Sequence, residues 1–121
     1  MKVAVTSESS ELSSAVDPRF GRAKYFVLVD TESGEFKSQD NQQNLNAPQG
    51  AGIQSGSNVV EMGAEAVITG NVGPNAIRTL QTGGVKVYLC EAGVTVQEAV
   101  NRFKAGELKL ADQANVEGHW V

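Results

Sequence analysis

The sequence predicts an α/β fold, a mixed five-stranded sheet with helices packed on its faces. Two observations carry this reading. Short β-branched apolar runs recur along the chain, and in its second half they alternate with helical segments punctuated by glycine or proline. In the first half, one such run and a polar stretch flank a turn instead. The resulting order, β-β-β-α-β-α-β-α, is a hairpin followed by right-handed β-α-β crossovers, which requires strands of both directions in one sheet.

Lys2 to Thr6 is a short β-branched run, the pattern of a strand covered on both faces, and is expected at the centre of the sheet. Ser7 to Phe20 is polar, carries Asp17-Pro18 near its end, and reads as a long loop of the kind that often serves function. Tyr25-Phe26-Val27-Leu28-Val29 is a second strand. Asp30 to Gly34 supplies turn residues, and the polar stretch Glu35 to Gln39 suits an exposed edge strand. Asp40 to Gln49, rich in Asn and Gln and containing Pro48, reads as a loop.

From Gly50 onward Ile53, Gly56 and Val60 recur at helical spacing, with Gly63 placed to end the helix, and Ala66 to Thr69 follows as a buried strand. Pro74 suits the first position of the next helix, where its missing N–H costs nothing. Ile77 and Leu80 face inward, and Gly83-Gly84 stops this helix before the strand Val85 to Leu89. Thr95-Val96-Gln97-Glu98 fits a capping box at the start of a third helix. Val96, Val100 and Phe103 share one of its faces, and Arg102 and Lys104 occupy its last turn ahead of Gly106. Glu107 to Val121 has weak periodicity and is expected to be loosely held, with Trp120 its one candidate anchor.

A chain of 121 residues suits one domain, large enough to bury about two-thirds of its unfolded surface without disulfide or metal staples. Fourteen acidic against ten basic residues, a net charge of -4, argue against a general nucleic-acid or anionic-membrane binder, which needs a dominant basic surface. No apolar run approaches the roughly 20 residues that span a bilayer, so a cytoplasmic location is expected. Cys90 and His119 are the only residues of their kinds, too few for a four-ligand zinc site or a four-cysteine iron-sulfur site. Carboxylates do not gather at neighbouring strand ends as a two-metal nuclease requires, and no serine sits in a nucleophile elbow.

Three glycine-containing segments are expected at one end of the sheet, where α/β folds bind ligands beyond the strand ends. In Asp17-Pro18-Arg19-Phe20-Gly21-Arg22 two guanidinium groups, with Lys24 close behind, suit a multiply charged anion; the alternative is that Arg19 or Arg22 pairs with Asp17 or Glu8. Gln49-Gly50-Ala51-Gly52-Ile53-Gln54 opens a helix, so Gly50, Ala51 and Gly52 can present unpaired backbone N–H groups to a ligand; alternatively these glycines only allow close packing. The spacing Gly50 to Gly56 also matches a dinucleotide pattern, but no strand precedes it and no acid ends the next strand, which disfavours a nicotinamide site. Gly70-Asn71-Val72-Gly73-Pro74-Asn75-Ala76 is the most specific local signal. A turn needed only for folding requires one glycine and the proline, whereas here a second glycine and two asparagines stand ready to hydrogen-bond a ligand.

The chain resembles the dinitrogenase iron-molybdenum cofactor biosynthesis family, which includes nitrogenase accessory and cofactor-carrier domains and orange-protein-like members. The resemblance spans roughly Lys2 to Leu108. It rests on the opening strand, Pro18-Arg19-Phe20-Gly21-Arg22, Gly50-Ala51-Gly52-Ile53-Gln54, Ile68 to Ala76 and Gly106-Glu107-Leu108. It implies a ribonuclease H-like motif fold without nuclease chemistry, in one domain over residues 1–108 with a flexible C-terminal tail over 109–121. It also implies a non-enzymatic carrier of an anionic metal-sulfur cluster, molybdenum/iron or molybdenum/copper sulfide, that exchanges it with donor and acceptor proteins and involves neither nucleic acid nor membrane. Backbone N–H groups and guanidinium forks can bind the sulfide and oxo groups of such a cluster, so few direct ligands are needed. The implied binding residues are Arg19, Gly21, Arg22, Gly50, Ala51, Gly52, Gly70, Asn71, Gly73, Pro74 and Asn75. Cys90 and His119 are candidate metal ligands, against the alternatives of a small core residue and a solvated tail histidine. The rival reading is a protein-interaction or regulatory domain in which the same loops recognise a partner and no metal is bound.

Overall fold

The computed structural model describes residues 1–41 and 50–116, so the expected loop after Asn41, His119 and Trp120 lie outside the described residues. The elements are β1 (Lys2–Ser7), β2 (Tyr25–Asp30), β3 (Phe36–Asp40), α1 (Ala51–Glu61), β4 (Ala66–Thr69), α2 (Pro74–Thr82), β5 (Lys86–Leu89), α3 (Val96–Lys104) and β6 (Lys109–Ala111). They form one mixed sheet in the order β3-β2-β1-β4-β5-β6. β1, β4 and β5 are parallel, while β2 and β6 run against their neighbours.

The sheet has six strands rather than the expected five. Lys109–Ala111, placed by the sequence in a loose tail, pairs antiparallel with β5 through Val87↔Ala111 and Tyr88↔Leu110. Pairing there covers an edge of β5 that would otherwise present unsatisfied backbone groups. The strand is only three residues long and buries Ala111 alone, so it leaves no alternation to read.

Residues along β1 divide by the two-residue period of a strand. Val3 and Val5 join Val27, Val29, Ala66 and Ile68 beneath Val96, Ala99 and Val100 of α3. Ala4 joins Phe26, Leu28, Val67 and Val87 beneath Val59 of α1 and Ala76, Ile77 and Leu80 of α2. Each face of the sheet therefore carries helices, and β1 and β4, covered on both sides, are the central strands. The capping expectation for α3 holds: the Thr95 hydroxyl accepts the Glu98 N–H at 3.1 Å, and Phe103 packs edge-on against Tyr88 at 5.0 Å.

Helix α1 is phased differently from its apolar spacing. Ile53 is 48% exposed, and the inward face is formed by Ala51, Ser55, Gly56, Asn58 and Val59. Two of these are polar, and each has a partner. Ser55 Oγ donates to the Gly21 carbonyl at 3.0 Å, and Asn58 Oδ1 accepts from Gln54 Nε2 at 3.1 Å. Hydrogen-bonded polar residues can face inward at little cost, and that possibility is invisible to a count of apolar positions.

Leu80 is fully buried between α2 and the sheet, whereas Leu110 on β6 is 50% exposed. Leu80→Ala is expected to lower unfolding stability by about 2–5 kcal/mol in urea titrations. Leu110→Ala is expected to stay within about 0.5 kcal/mol of the parent.

Candidate functional site

The chain leaves the carboxyl end of β1 toward β2 on one side, and that of β4 toward α2 and β5 on the other. A crevice between strands that diverge in this way is where open α/β sheets place ligands. All three glycine-containing segments meet there.

The long loop after β1 is held to this end of the sheet by its backbone. Asp17 N–H donates to the Thr6 carbonyl at 2.9 Å, Thr6 Oγ1 donates to the Asp17 carbonyl at 2.7 Å, and the Thr6 and Thr69 hydroxyls lie 3.0 Å apart. Arg19 then bridges to Asn71 in a parallel sense, with Phe20 N–H donating to the Asn71 carbonyl at 3.2 Å. Gly70 makes this approach possible: a Cβ there would stand 2.9 Å from the Pro18 Cα and 3.1 Å from its carbonyl oxygen. On the other side of the loop, a Cβ on Gly21 would stand 3.1 Å from the Gly52 nitrogen. Ser55 and the fully buried Asn41 clamp the same stretch, Asn41 Nδ2 donating to the Ala23 carbonyl at 2.9 Å.

Helices α1 and α2 begin side by side. A Cβ on Gly52 would stand 3.3 Å from Ala76 Cβ. Gly50, at φ 80°, is the N-cap of α1, Gly73 is the N-cap of α2 with Pro74 following, and neither cap supplies a side-chain hydrogen bond. The first intrahelical bonds run from Gln54 N–H to the Gly50 carbonyl and from Ile77 N–H to the Gly73 carbonyl. The N–H groups of Ala51, Gly52 and Ile53, and of Asn75 and Ala76, therefore have no intrahelical acceptor. Two positive helix-dipole ends lie in contact, a setting that favours an anion.

Arg19 is exposed, and its guanidinium makes no ion pair among the described residues; only its backbone N–H reaches Asp17 Oδ1, at 3.1 Å. Arg22 follows on the same loop and is half-buried. Burial pushes the Asp17 carboxyl above its ordinary range, opposed by the N–H groups of Arg19 and Lys24. Asn75 is exposed at the start of α2. Asn71 is engaged within the protein, its Nδ2 donating to the Pro18 carbonyl at 3.1 Å.

Cys90 is not brought into this group. It follows β5 with its N–H on the Thr69 carbonyl at 2.9 Å, and its side chain packs in the α3-side core with Ile68 and Val96. Burial pushes its thiol pKa up, opposed mainly by Arg102. Among the described residues no three His, Cys, Asp or Glu side chains gather to hold a metal ion, and no helix is long and apolar enough to cross a membrane.

The sequence reading missed Asn115, which belongs to the expected tail. Its Oδ1 accepts the Val72 N–H at 2.7 Å, and its Nδ2 lies 3.1 Å from Asn71 Oδ1. It missed Asn41 and Ser55 as well. All three act on backbone groups far away in sequence, so nothing nearby marks them.

The sequence profile of the dinitrogenase iron-molybdenum cofactor family matches residues 1–106. The chain belongs to this family. The apo form of the orange protein from Desulfovibrio gigas has the same fold as this dinitrogenase-cofactor family chain, with a TM-score of 0.92 and 40% identity over 95% of this chain and 96% of that one. A NifB-like protein from Thermotoga gives a TM-score of 0.83 at 41% identity, covering 97% of this chain and 98% of its own. An uncharacterised protein of Methanocaldococcus jannaschii is 32% identical over 111 residues, 90% of each chain.

The raised Asp17 pKa has a testable sign. Just above the ordinary aspartate value of about 3.9 the folded chain keeps this proton while the unfolded chain has lost it, so stability falls as pH rises through that window. Asp17→Asn removes the slope. In urea unfolding at a series of pH values, the variant is expected to gain stability relative to the parent as pH rises through the window, and the gain to level off once the parent's Asp17 is ionised.

Proposed function

We propose that this chain is a non-enzymatic carrier of an anionic metal-sulfur cluster, molybdenum- or iron-containing, which it receives from a donor protein and passes to an acceptor. One observation carries the reading: two helix N-termini without side-chain caps touch at the carboxyl end of the sheet, where the backbone of the exposed Arg19 bridges Asn71. Backbone N–H groups and a guanidinium fork suit a preassembled anion whose outer sulfide and oxo groups accept hydrogen bonds. The family is named for the iron-molybdenum cofactor of dinitrogenase, which supports the choice of cargo.

Arg19 and Arg22 would supply charge and Gly21 close approach, while Gly50 to Gly52, Gly70 and Gly73 to Asn75 would supply backbone and amide donors. Asn71 shapes the site and retains one amide hydrogen for the cargo. Cys90, buried on the far face, would act at most as a secondary ligand, with His119 in the same role. The reading places the chain in the cytoplasm as one domain, expected over residues 1–108 and extended by β6 to Ala111, with no nucleic-acid or membrane partner. The ribonuclease H-like assignment belongs to the same proposal and is supported by the hairpin followed by parallel crossovers in the order β3-β2-β1-β4-β5.

The half-exposed Ile53, next to Gly52 at the start of α1, favours the rival reading of a partner-binding domain without metal. An anaerobic titration of the apo protein with tetrathiomolybdate, alone and with copper(I), separates the two. Carriage predicts metal retained through gel filtration and amide shifts confined to residues 19–22, 50–54 and 70–76. Arg19→Ala is expected to weaken binding about tenfold, as loss of one charge-assisted hydrogen bond does. Absence of retention would favour the partner-binding reading.

A further inference from the structure

We propose that Asn115 is a positioning residue of this site, fixing through Asn71 where the Asp17–Arg22 loop lies. The inference rests on the binding site proposed above.

Asn115 is anchored to the turn between β4 and α2 in both directions. Its N–H donates to the Val72 carbonyl at 3.1 Å, and its Oδ1 accepts the Val72 N–H at 2.7 Å. This pair fixes the orientation of its carboxamide, because only the oxygen can accept from Val72. Nδ2 must then face the other way, where it lies 3.1 Å from Asn71 Oδ1 and 3.4 Å from the Gly70 carbonyl. With Asn71 Oδ1 directed to Asn115, Asn71 Nδ2 is directed to the Pro18 carbonyl at 3.1 Å. Turning either carboxamide over would set oxygen against oxygen or N–H against N–H.

The relay ends at the charge. Pro18 immediately precedes Arg19, whose backbone bridges Asn71. Asn115 thus governs the Arg19 position from across the β4–α2 turn, through two carboxamides and one carbonyl. Without its amide donor, Asn71 Oδ1 loses the partner that selects its rotamer, and the Pro18 carbonyl loses its fixed donor.

The test combines two backgrounds and two readouts. Asn115→Ala is expected to weaken tetrathiomolybdate binding about fivefold to tenfold, and less than about twofold when Asn71 is already Ala. An equal loss in both backgrounds, or no loss in the parent background, overturns the proposal. Amide hydrogen exchange of the apo protein supplies the second readout, using Asn115→Asp, which retains the oxygen that accepts from Val72 and lacks the donor to Asn71. Phe20 N–H, bonded to the Asn71 carbonyl, is expected to exchange faster while Val72 N–H stays protected. Unchanged Phe20 exchange overturns the relay. If the parent protein does not bind tetrathiomolybdate, the carrier reading fails, and the exchange arm still decides whether Asn115 positions the loop.

Discussion

At the carboxyl end of the sheet, stretches of main chain pack against one another with at most a methyl group between. Gly70 backs onto Pro18, Gly21 onto Gly52, and Gly52 onto Ala76. At Gly70 the contact is closer than a Cβ would allow and at Gly21 and Gly52 it is tight, and together they draw the loop after β1 and the first turns of α1 and α2 into one assembly. The consequences follow in sequence. Phe20 is carried into the core, where its ring lies 5.5 Å from that of Phe26; the Arg19 backbone pairs with Asn71; and two helix dipoles end at the same place. A methyl group on Gly70 would push the loop off the strand and separate the charge from the helix ends.

Electrostatics at this pole differ from those of the whole molecule. The chain carries a net charge of -4, which would repel an anion if charge acted at long range. At physiological ionic strength such fields fade over about 8 Å, so the immediate surroundings decide. There, helix N–H groups without an intrahelical acceptor and the exposed Arg19 stand on the segments that meet, and burial of Asp17 favours its uncharged form. A chain that is acidic overall can therefore still gather hydrogen-bond donors at one end.

How far the fold could be read from the sequence followed from where the information was local. β1, β2 and β4 announce themselves because strands buried on both faces need unbroken apolar runs. α3 does so because Thr95 and Glu98 cap it within one turn. Gly63 and Gly84, at φ 83° and 79°, mark helix ends for the same local reason. β6 was hidden because an edge strand with one buried residue has no pattern, and Ile53 misled because Ser55 and Asn58 fill its place on the inner face. The three glycine segments of the site were legible as segments. Asn41, Ser55 and Asn115, which hold those segments in place, were not: Asn115 meets Val72 across 43 residues, and a single asparagine in a weakly periodic stretch carries no sign of that distant partner.

The run from β6 to Asn115 also gives the domain a direction. Met1 lies at the amino end of β1, where its carbonyl accepts the Thr31 N–H, at the pole opposite the site. Asn115 sits on the site's own rim. The six residues of β1 thus separate Met1 from the site by a full strand length, whereas Asn115 touches it directly. A change at Asn115 therefore acts on the site itself, whereas one at Met1 acts a strand length away.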